Sequence, residues 1–274
     1  MKNNDLVTVY IPTHNRLELL KRALASLENQ TYKNIEIIVV NDGSTDGTKE
    51  YLNEITKNGQ YIKAFHNDKA KGACYSRNVA IENSNGKFIT GLDDDDYFLP
   101  DRVEEFIRHS HLLDSYSCLS SAIVQFANNI ELKIHFGDKG LVNKDSLKNS
   151  NSIGNQVFTF TERFKSLRGF DDDLKSCQDY DMWIRLVLKY GNAYNLGLKN
   201  YYMDVSSENG RISTSKKRAY GMANFAEKHQ DFLDRTRYIK LKILSSVILN
   251  QTLGLKLILS HPFYYAYCVF QTKL

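Results

Sequence analysis

Along the first hundred residues the apolar positions alternate between two periods. Val7-Thr8-Val9-Tyr10-Ile11 is a β-branched and aromatic run, broken by Pro12-Thr13-His14-Asn15-Arg16, and Leu17, Leu19, Leu20, Ala23, Leu24 and Leu27 follow at helical spacing. The pattern predicts a strand, a loop and a helix. It then repeats: Ile35 to Asn41 is nearly continuous apolar sequence, and Asp42-Gly43-Ser44-Thr45-Asp46-Gly47-Thr48 supplies turn and capping residues. A third run, Tyr61 to Phe65, precedes a helix expected over about Ala73–Glu82, and a fourth, Lys87 to Thr90, ends at an acidic cluster. Strands alternating with helices imply an α/β fold with a mostly parallel sheet, and such sheets bind ligands at the carboxyl ends of their strands. Pro12 to Arg16, Asp42 and Asp93 to Asp96 would then share one crevice.

The acidic cluster Asp93-Asp94-Asp95-Asp96 is four like charges in succession. A divalent cation relieves such crowding, so the run suits hard oxygen ligation of a metal. It equally suits an acidic turn entering a helix at Pro100-Asp101, where a first-turn proline and acids agree with the helix dipole. From the helix after Gly72, Arg77 reaches toward the same crevice and suits a charge-assisted bond to a diphosphate, although a solvated helix arginine looks the same in sequence.

Four successive motifs resemble those of family 2 glycosyltransferases with the GT-A fold: Val9 to Arg16, Val40 to Thr48, Gly72 to Asn78, and Asp93-x-Asp95-Asp96-x-x-x-Pro100. A fifth, Arg168-Gly169-Phe170-Asp171 with Gln178-Asp179-Tyr180-Asp181-Met182-Trp183, carries the resemblance to about residue 190. It implies a GT-A fold, a Rossmann-like mixed but mostly parallel sheet flanked by helices, and a metal-dependent inverting transfer from a nucleotide sugar, UDP-linked, to a hydroxyl of a glycan or lipid-diphosphate-linked acceptor in surface polysaccharide synthesis. By the same resemblance Pro12, Thr13, Asn15, Arg16 and Asp42 bind the nucleotide, with Asp42 accepting the uracil imino N–H. Asp93 lies near the ribose, and Asp95, helped by Asp93 or Asp96, holds a divalent cation, Mn or Mg. Asp94 fills a variable position and is counted with Asp93 among the residues that bind the nucleotide sugar, which leaves a one-residue shift of the liganding acid open. Asp179 takes the catalytic-base position. Gln178 departs from the glutamate usual before it. Asp181 is expected to cap or to pair with Arg185, and Trp183 to sit in the core. Arg211, in the polar segment Ser206 to Ser213, is a further candidate for the diphosphate, and the loop Asn151 to Gln156 falls on the acceptor side.

Composition changes this picture only toward the end of the chain. The 274 residues are 42% hydrophobic and 25% charged with a net charge of +4, ordinary for a globular protein. Cys74, Cys118, Cys177 and Cys268 are widely spaced, with no CxxC pair, which favours reduced thiols over a disulfide framework. No signal-peptide pattern opens the sequence, so a cytoplasmic enzyme is expected. From residue 235 onward the charges are all basic, Arg235, Arg237, Lys240, Lys242, Lys256 and Lys273, among dense apolar residues. Residues 235–274 therefore read as a basic helical tail, peripheral on the inner face of the cell membrane or packed on the catalytic domain. The domain itself is expected over 1–234, with a nucleotide-sugar half (1–115) and an acceptor half (116–234). Two other functions compete. A nucleotidyltransferase expects a glycine-rich phosphate loop, and Pro12 to Arg16 has no glycine. A non-catalytic sugar- or membrane-binding module expects loss of the acids. No nucleic-acid motif accompanies the basic tail, so no nucleic-acid partner is expected.

Overall fold

A computed structural model describes residues 4–57, 61–206, 216–251 and 254–273. The first half follows the alternating pattern: β1 (Val7–Thr13), α1 (Leu17–Glu28), β2 (Ile35–Asn41), α2 (Thr48–Ile55), β3 (Ile62–His66), α3 (Ala73–Glu82) and β4 (Phe88–Gly91). The short β5 (Tyr97–Phe98) and α4 (Arg102–Arg108) come next, then β6 (Leu119–Ser120), β7 (Ile123–Ala127), β8 (Ile130–His135), β9 (Gly140–Val142) and α5 (Lys144–Asn149). The remainder comprises β10 (Phe158–Phe160), α6 (Thr161–Ser166), α7 (Gln178–Tyr190), β11 (Ala193–Asn195), β12 (Tyr201–Asp204), α8 (Lys216–Lys228), α9 (Arg235–Ile248), α10 (Leu255–Ser260) and α11 (Pro262–Lys273).

Eight strands form the main sheet in the order β3-β2-β1-β4-β10-β6-β11-β9, and β5-β12-β7-β8 form a second. β3, β2, β1 and β4 are mutually parallel, whereas β10 enters antiparallel between β4 and β6. The chain runs β1, β2, β3 to one side and then returns to place β4 on the other, so strand order reverses between β1 and β4. Ligand crevices form at such a reversal. Both central strands are buried along their whole length, which is why they read as continuous rather than alternating apolar runs. Val7, Val9 and Ile11 face a core shared with Leu20, Leu24 and Leu27 of α1, while Tyr10 faces a second core with Trp183 and Ile184 of α7 and Phe225 of α8.

α9 joins that second core. Leu241 is buried in it, Tyr238, Leu244 and Ile248 pack against it, and the backbone N–H of Asp234 donates to Lys148 O at 3.1 Å. The expected boundary at 234 is therefore crossed by continuous packing. α11 lies against α9, with Tyr264, Tyr265 and Cys268 over Ile239 and Ile243. Among the described residues no helix is long and apolar enough to cross a membrane.

Candidate functional site

Two backbone bonds carry the strand ends into the crevice: Asp42 N–H donates to Thr13 O at 2.8 Å, and Leu92 N–H donates to Tyr10 O at 3.0 Å. At Gly91 a side chain is excluded, because a Cβ would lie 2.0 Å from the Gln156 side-chain oxygen and 2.4 Å from the Tyr10 ring. The result is a cleft of about 300 Å³ lined by Pro12, Thr13, His14, Arg16, Asp42, Ala73, Ser76, Arg77, Asp93, Asp94, Asp95 and Gln178. Most of the residues singled out in the sequence thus meet in one place.

Two arginines hold the acids. Arg16 Nη1 lies 3.0 Å from Asp94 Oδ1 and 2.8 Å from Asp95 Oδ2. Arg77 Nη2 lies 3.0 Å from Asp93 Oδ1, and its Nη1 donates to Gln178 Oε1 at 3.1 Å. Gln178 thus orients Arg77 where a glutamate would partly neutralise it. Burial pushes the Asp94 carboxyl up to about 6 against the opposing pull of Arg16. Burial and then the charge of Asp93 raise Asp95 as well. Burial is the first cause in both, and Arg16 opposes it in both.

Asp96 is set apart from its neighbours. It is 2% exposed, accepts the Tyr201 hydroxyl at 2.5 Å on Oδ2 and the Asp204 N–H at 3.0 Å on Oδ1, and burial raises its pKa well above the usual range. Both oxygens face the interior and tie the acidic turn to β12, so of the three acids named for a cation only Asp93 and Asp95 line the cleft. Among the described residues no group of three or more His, Cys, Asp or Glu is arranged to hold a metal by itself. Two carboxylates nevertheless fit Mn or Mg, which complete their shells with phosphate oxygens and water.

Asp42 is bonded to the loop that follows β3. Its carboxylate accepts Asn67 Nδ2 and Lys71 N on Oδ1 at 2.7 and 2.8 Å, and Gly72 N on Oδ2 at 2.7 Å. These bonds outweigh its burial and lower its pKa, and they fix the loop that enters α3. Asn15, at φ 53°, braces the neighbouring turn by donating its N–H to Ser44 and accepting the Thr45 N–H at 2.8 Å. Asn15 does not line the cleft. Arg211 lies outside the described residues.

Asp179 stands in the first turn of α7, next to Gln178. Its half-buried carboxylate accepts Asn151 Nδ2 at 3.1 Å, and burial is the first cause of a pKa raised to about 6, with Arg77 opposing and Asp93 adding to it. The preceding segment is anchored by Asn78, which bonds Phe170 through both its N–H (2.7 Å) and its carbonyl (2.8 Å). The third and fifth motifs are thereby joined. Asp181 is fully buried and accepts Arg185, Lys228 and His229 at 2.7 to 2.8 Å, which lowers its pKa to about 2. Trp183 is a core residue, donating to Gly154 O at 2.8 Å.

Sequence reasoning passed over several members of this arrangement. Arg22 of α1 donates to Asp95 O at 2.5 Å and pairs with Asp204 at 2.6 Å while stacking on Tyr97 and Phe126. Asn155 and Gln156 reach Asp93 at 3.4 and 3.1 Å. The loop 151–156, expected on the acceptor side, thus contacts both the acidic turn and Asp179. No local pattern marks Arg22, since its partners lie 73 and 182 residues away.

The parallel strands, the acid-rich turn at their reversal and the Asp179 carboxylate beside it place the candidate site where such sheets bind their ligands. The family model described as Glycosyl transferase family 2 matches residues 8–165, and the chain belongs to that family. The nucleotidyltransferase and non-catalytic alternatives are thereby set aside. The chain is 36% identical over 245 residues to the putative colanic acid biosynthesis glycosyl transferase WcaA of Escherichia coli K12, covering 86% of this chain and 85% of the relative. In fold it is similar to S. aureus TarS 1-349 in complex with UDP-GlcNAc, with a TM-score of 0.68 at 18% identity over 97% of this chain and 80% of that one. It is likewise similar to the mannosyltransferase PcManGT of Pyrobaculum calidifontis in complex with GDP-Man and Mn2+, with a TM-score of 0.64 at 16% identity over 98% and 87%.

Proposed function

We propose that this glycosyltransferase moves a sugar from a UDP-linked donor to a hydroxyl of a glycan or lipid-diphosphate-linked acceptor, with inversion, in the synthesis of a surface polysaccharide. The observation that carries the reading is Asp179: a carboxylate beside the cleft with a pKa raised to about 6 is mostly ionised at neutral pH yet basic enough to take a proton. The colanic acid assignment of the relative named above supports the polysaccharide role, and the UDP-GlcNAc bound by TarS supports the donor class.

Pro12, Thr13 and the turn held by Asp42 form the wall for the base, and Asp93 meets the ribose. Arg77 and Arg16 swing their guanidinium groups from carboxylates to the diphosphate. The acceptor hydroxyl attacks the anomeric carbon in line, its proton passes to Asp179 Oδ, the C1–O bond to the diphosphate breaks, and UDP leaves with the bonding pair. An α-linked donor becomes a β-glycoside. Asp93 and Asp95 would hold a divalent cation, which would supply positive charge to the departing diphosphate. Asn151 keeps Asp179 aimed. Residues 235–274 bring the enzyme to the membrane surface that carries the acceptor.

The test is acceptor-free hydrolysis and transfer across a panel of UDP-, GDP- and dTDP-sugars, with manganese and with chelator. Turnover of a UDP-sugar that depends on the metal is the expected result. Turnover confined to GDP- or dTDP-sugars, or unaffected by chelator, overturns the donor or the metal part respectively.

A further inference from the structure

Within the basic tail, three of the cations of α9 are engaged on the protein. Arg237 stacks 6.0 Å from the Tyr180 ring, Lys242 pairs with Glu227 at 2.5 Å, and Lys240 lies 5.4 Å from the Tyr264 ring. The free surface is on α10 and α11. Phe263 is 91% exposed, Tyr267 57% and Phe270 63%, and Leu259 of α10 is 67% exposed just ahead of them. Positions 263, 267 and 270 fall on one face of a helix, opposite the face where Tyr264 and Cys268 pack on α9.

We infer that the Leu259-Phe263-Tyr267-Phe270 stripe inserts into the interfacial layer of an anionic bilayer, with α11 lying in the membrane plane. This deepens the membrane-surface contact proposed above, of which it names the inserting element. Charge selects this occupant: residues 235–274 contain six Lys and Arg and no acid, and of the three α9 cations named above only Lys242 meets a carboxylate, the other two lying against uncharged rings, so the segment keeps a net positive charge that a polyanionic surface matches, and aromatic side chains favour the headgroup boundary. Position supports it too. α11 rests on α9, whose Arg237 stacks on Tyr180, the residue after Asp179. The inserted face is thus coupled through two helices to the acceptor side of the cleft.

The full chain is floated with vesicles of phosphatidylcholine alone or mixed with phosphatidylglycerol, and a Phe263→Trp variant reports insertion against the single buried Trp183. Binding to the anionic vesicles with a blue-shifted emission from the introduced indole is expected, together with an at least ~10-fold loss of binding in Phe263→Ala/Phe270→Ala. Both side chains are largely exposed, so the double variant keeps its fold, which its melting temperature verifies. Wild-type protein that ignores anionic vesicles, or a double variant that binds them equally well, overturns the inference. So does a solution dimer that dissociates in the double variant, because a second copy then covers the stripe. Metal-dependent hydrolysis of the donor in solution is read separately: its loss refutes the transfer chemistry and leaves the membrane result standing.

Discussion

Replacing Asp179 by asparagine should stabilise the protein while disabling it. Burial raises the carboxyl from 3.8 to about 6, so above that pH the native state holds a charge that the unfolded chain carries more cheaply. Two pH units at 1.36 kcal/mol each set an upper bound of about 3 kcal/mol. The side chain is only half-buried, and solvent screening reduces this to ~1–2 kcal/mol. For a chain of this length that is a rise in melting temperature of roughly 2–8 °C. The sign follows from the raised pKa. The penalty is absent below the unfolded value near 4, grows as pH rises, and is complete above the folded value near 6. Thermal unfolding of both proteins at pH 7.5 and pH 4 should therefore show the stabilisation at the first and little difference at the second. Transfer should fall steeply at pH 7.5, with UDP affinity by calorimetry within a few-fold of wild type, and wild-type turnover should rise with pH through about 6. A variant no more stable at pH 7.5, or one that still transfers near the wild-type rate, refutes the assignment of Asp179 as a base of raised pKa.

Asp95→Asn should lower metal-dependent turnover by at least ~100-fold, the scale for loss of a main transition-state stabiliser, as measured by steady-state kinetics across a manganese titration. Arg22→Gln removes the group that holds Asp95 O and Asp204 from behind. The manganese concentration for half-maximal binding should rise by ~10-fold or more, read by calorimetry with UDP present, and unchanged metal affinity rejects Arg22 as a positioning residue. Asp42→Ala leaves the Lys71 and Gly72 N–H groups without their acceptor, so it should cost about 1–3 kcal/mol of stability and weaken UDP binding together. Loss of UDP binding with full stability would instead mark Asp42 as a direct ligand of the base.

The first half of the fold was legible because its signals are local. β1, α1, β2, β3, α3 and β4 fall where periodicity and turn residues put them, α3 spanning the predicted Ala73–Glu82. The second half was not. β6, β9 and β11 are two or three residues each, too short to show a period, and they are held in register by the sheet that β4 begins. At the site, the acids, Arg77 and the position of Asp179 could be named from motifs, but the division of labour among the acids could not. Asp96 is drawn inward by Tyr201 and by a backbone N–H 108 residues away. In the tail, the sequence left packing on the domain and membrane contact both open; α9 packs on the domain, and nothing local marked that Arg237, Lys242 and Lys240 would meet Tyr180, Glu227 and Tyr264.

The attachment of the acidic turn to β12 bears on how such enzymes can be recombined. Asp93 to Asp96 lie within residues 1–115, yet Asn155, Gln156, Tyr201 and Asp204 from beyond that segment set their geometry, with Arg22 as the link between Asp95 and Asp204. Residues 1–115 are therefore not a transferable donor module. A chimera that exchanges donor specificity by swapping that segment alone would carry the acids without their frame. Exchanging residues 151–156 and 201–204 with it keeps the frame, which makes the unit of inheritance for donor chemistry discontinuous in sequence.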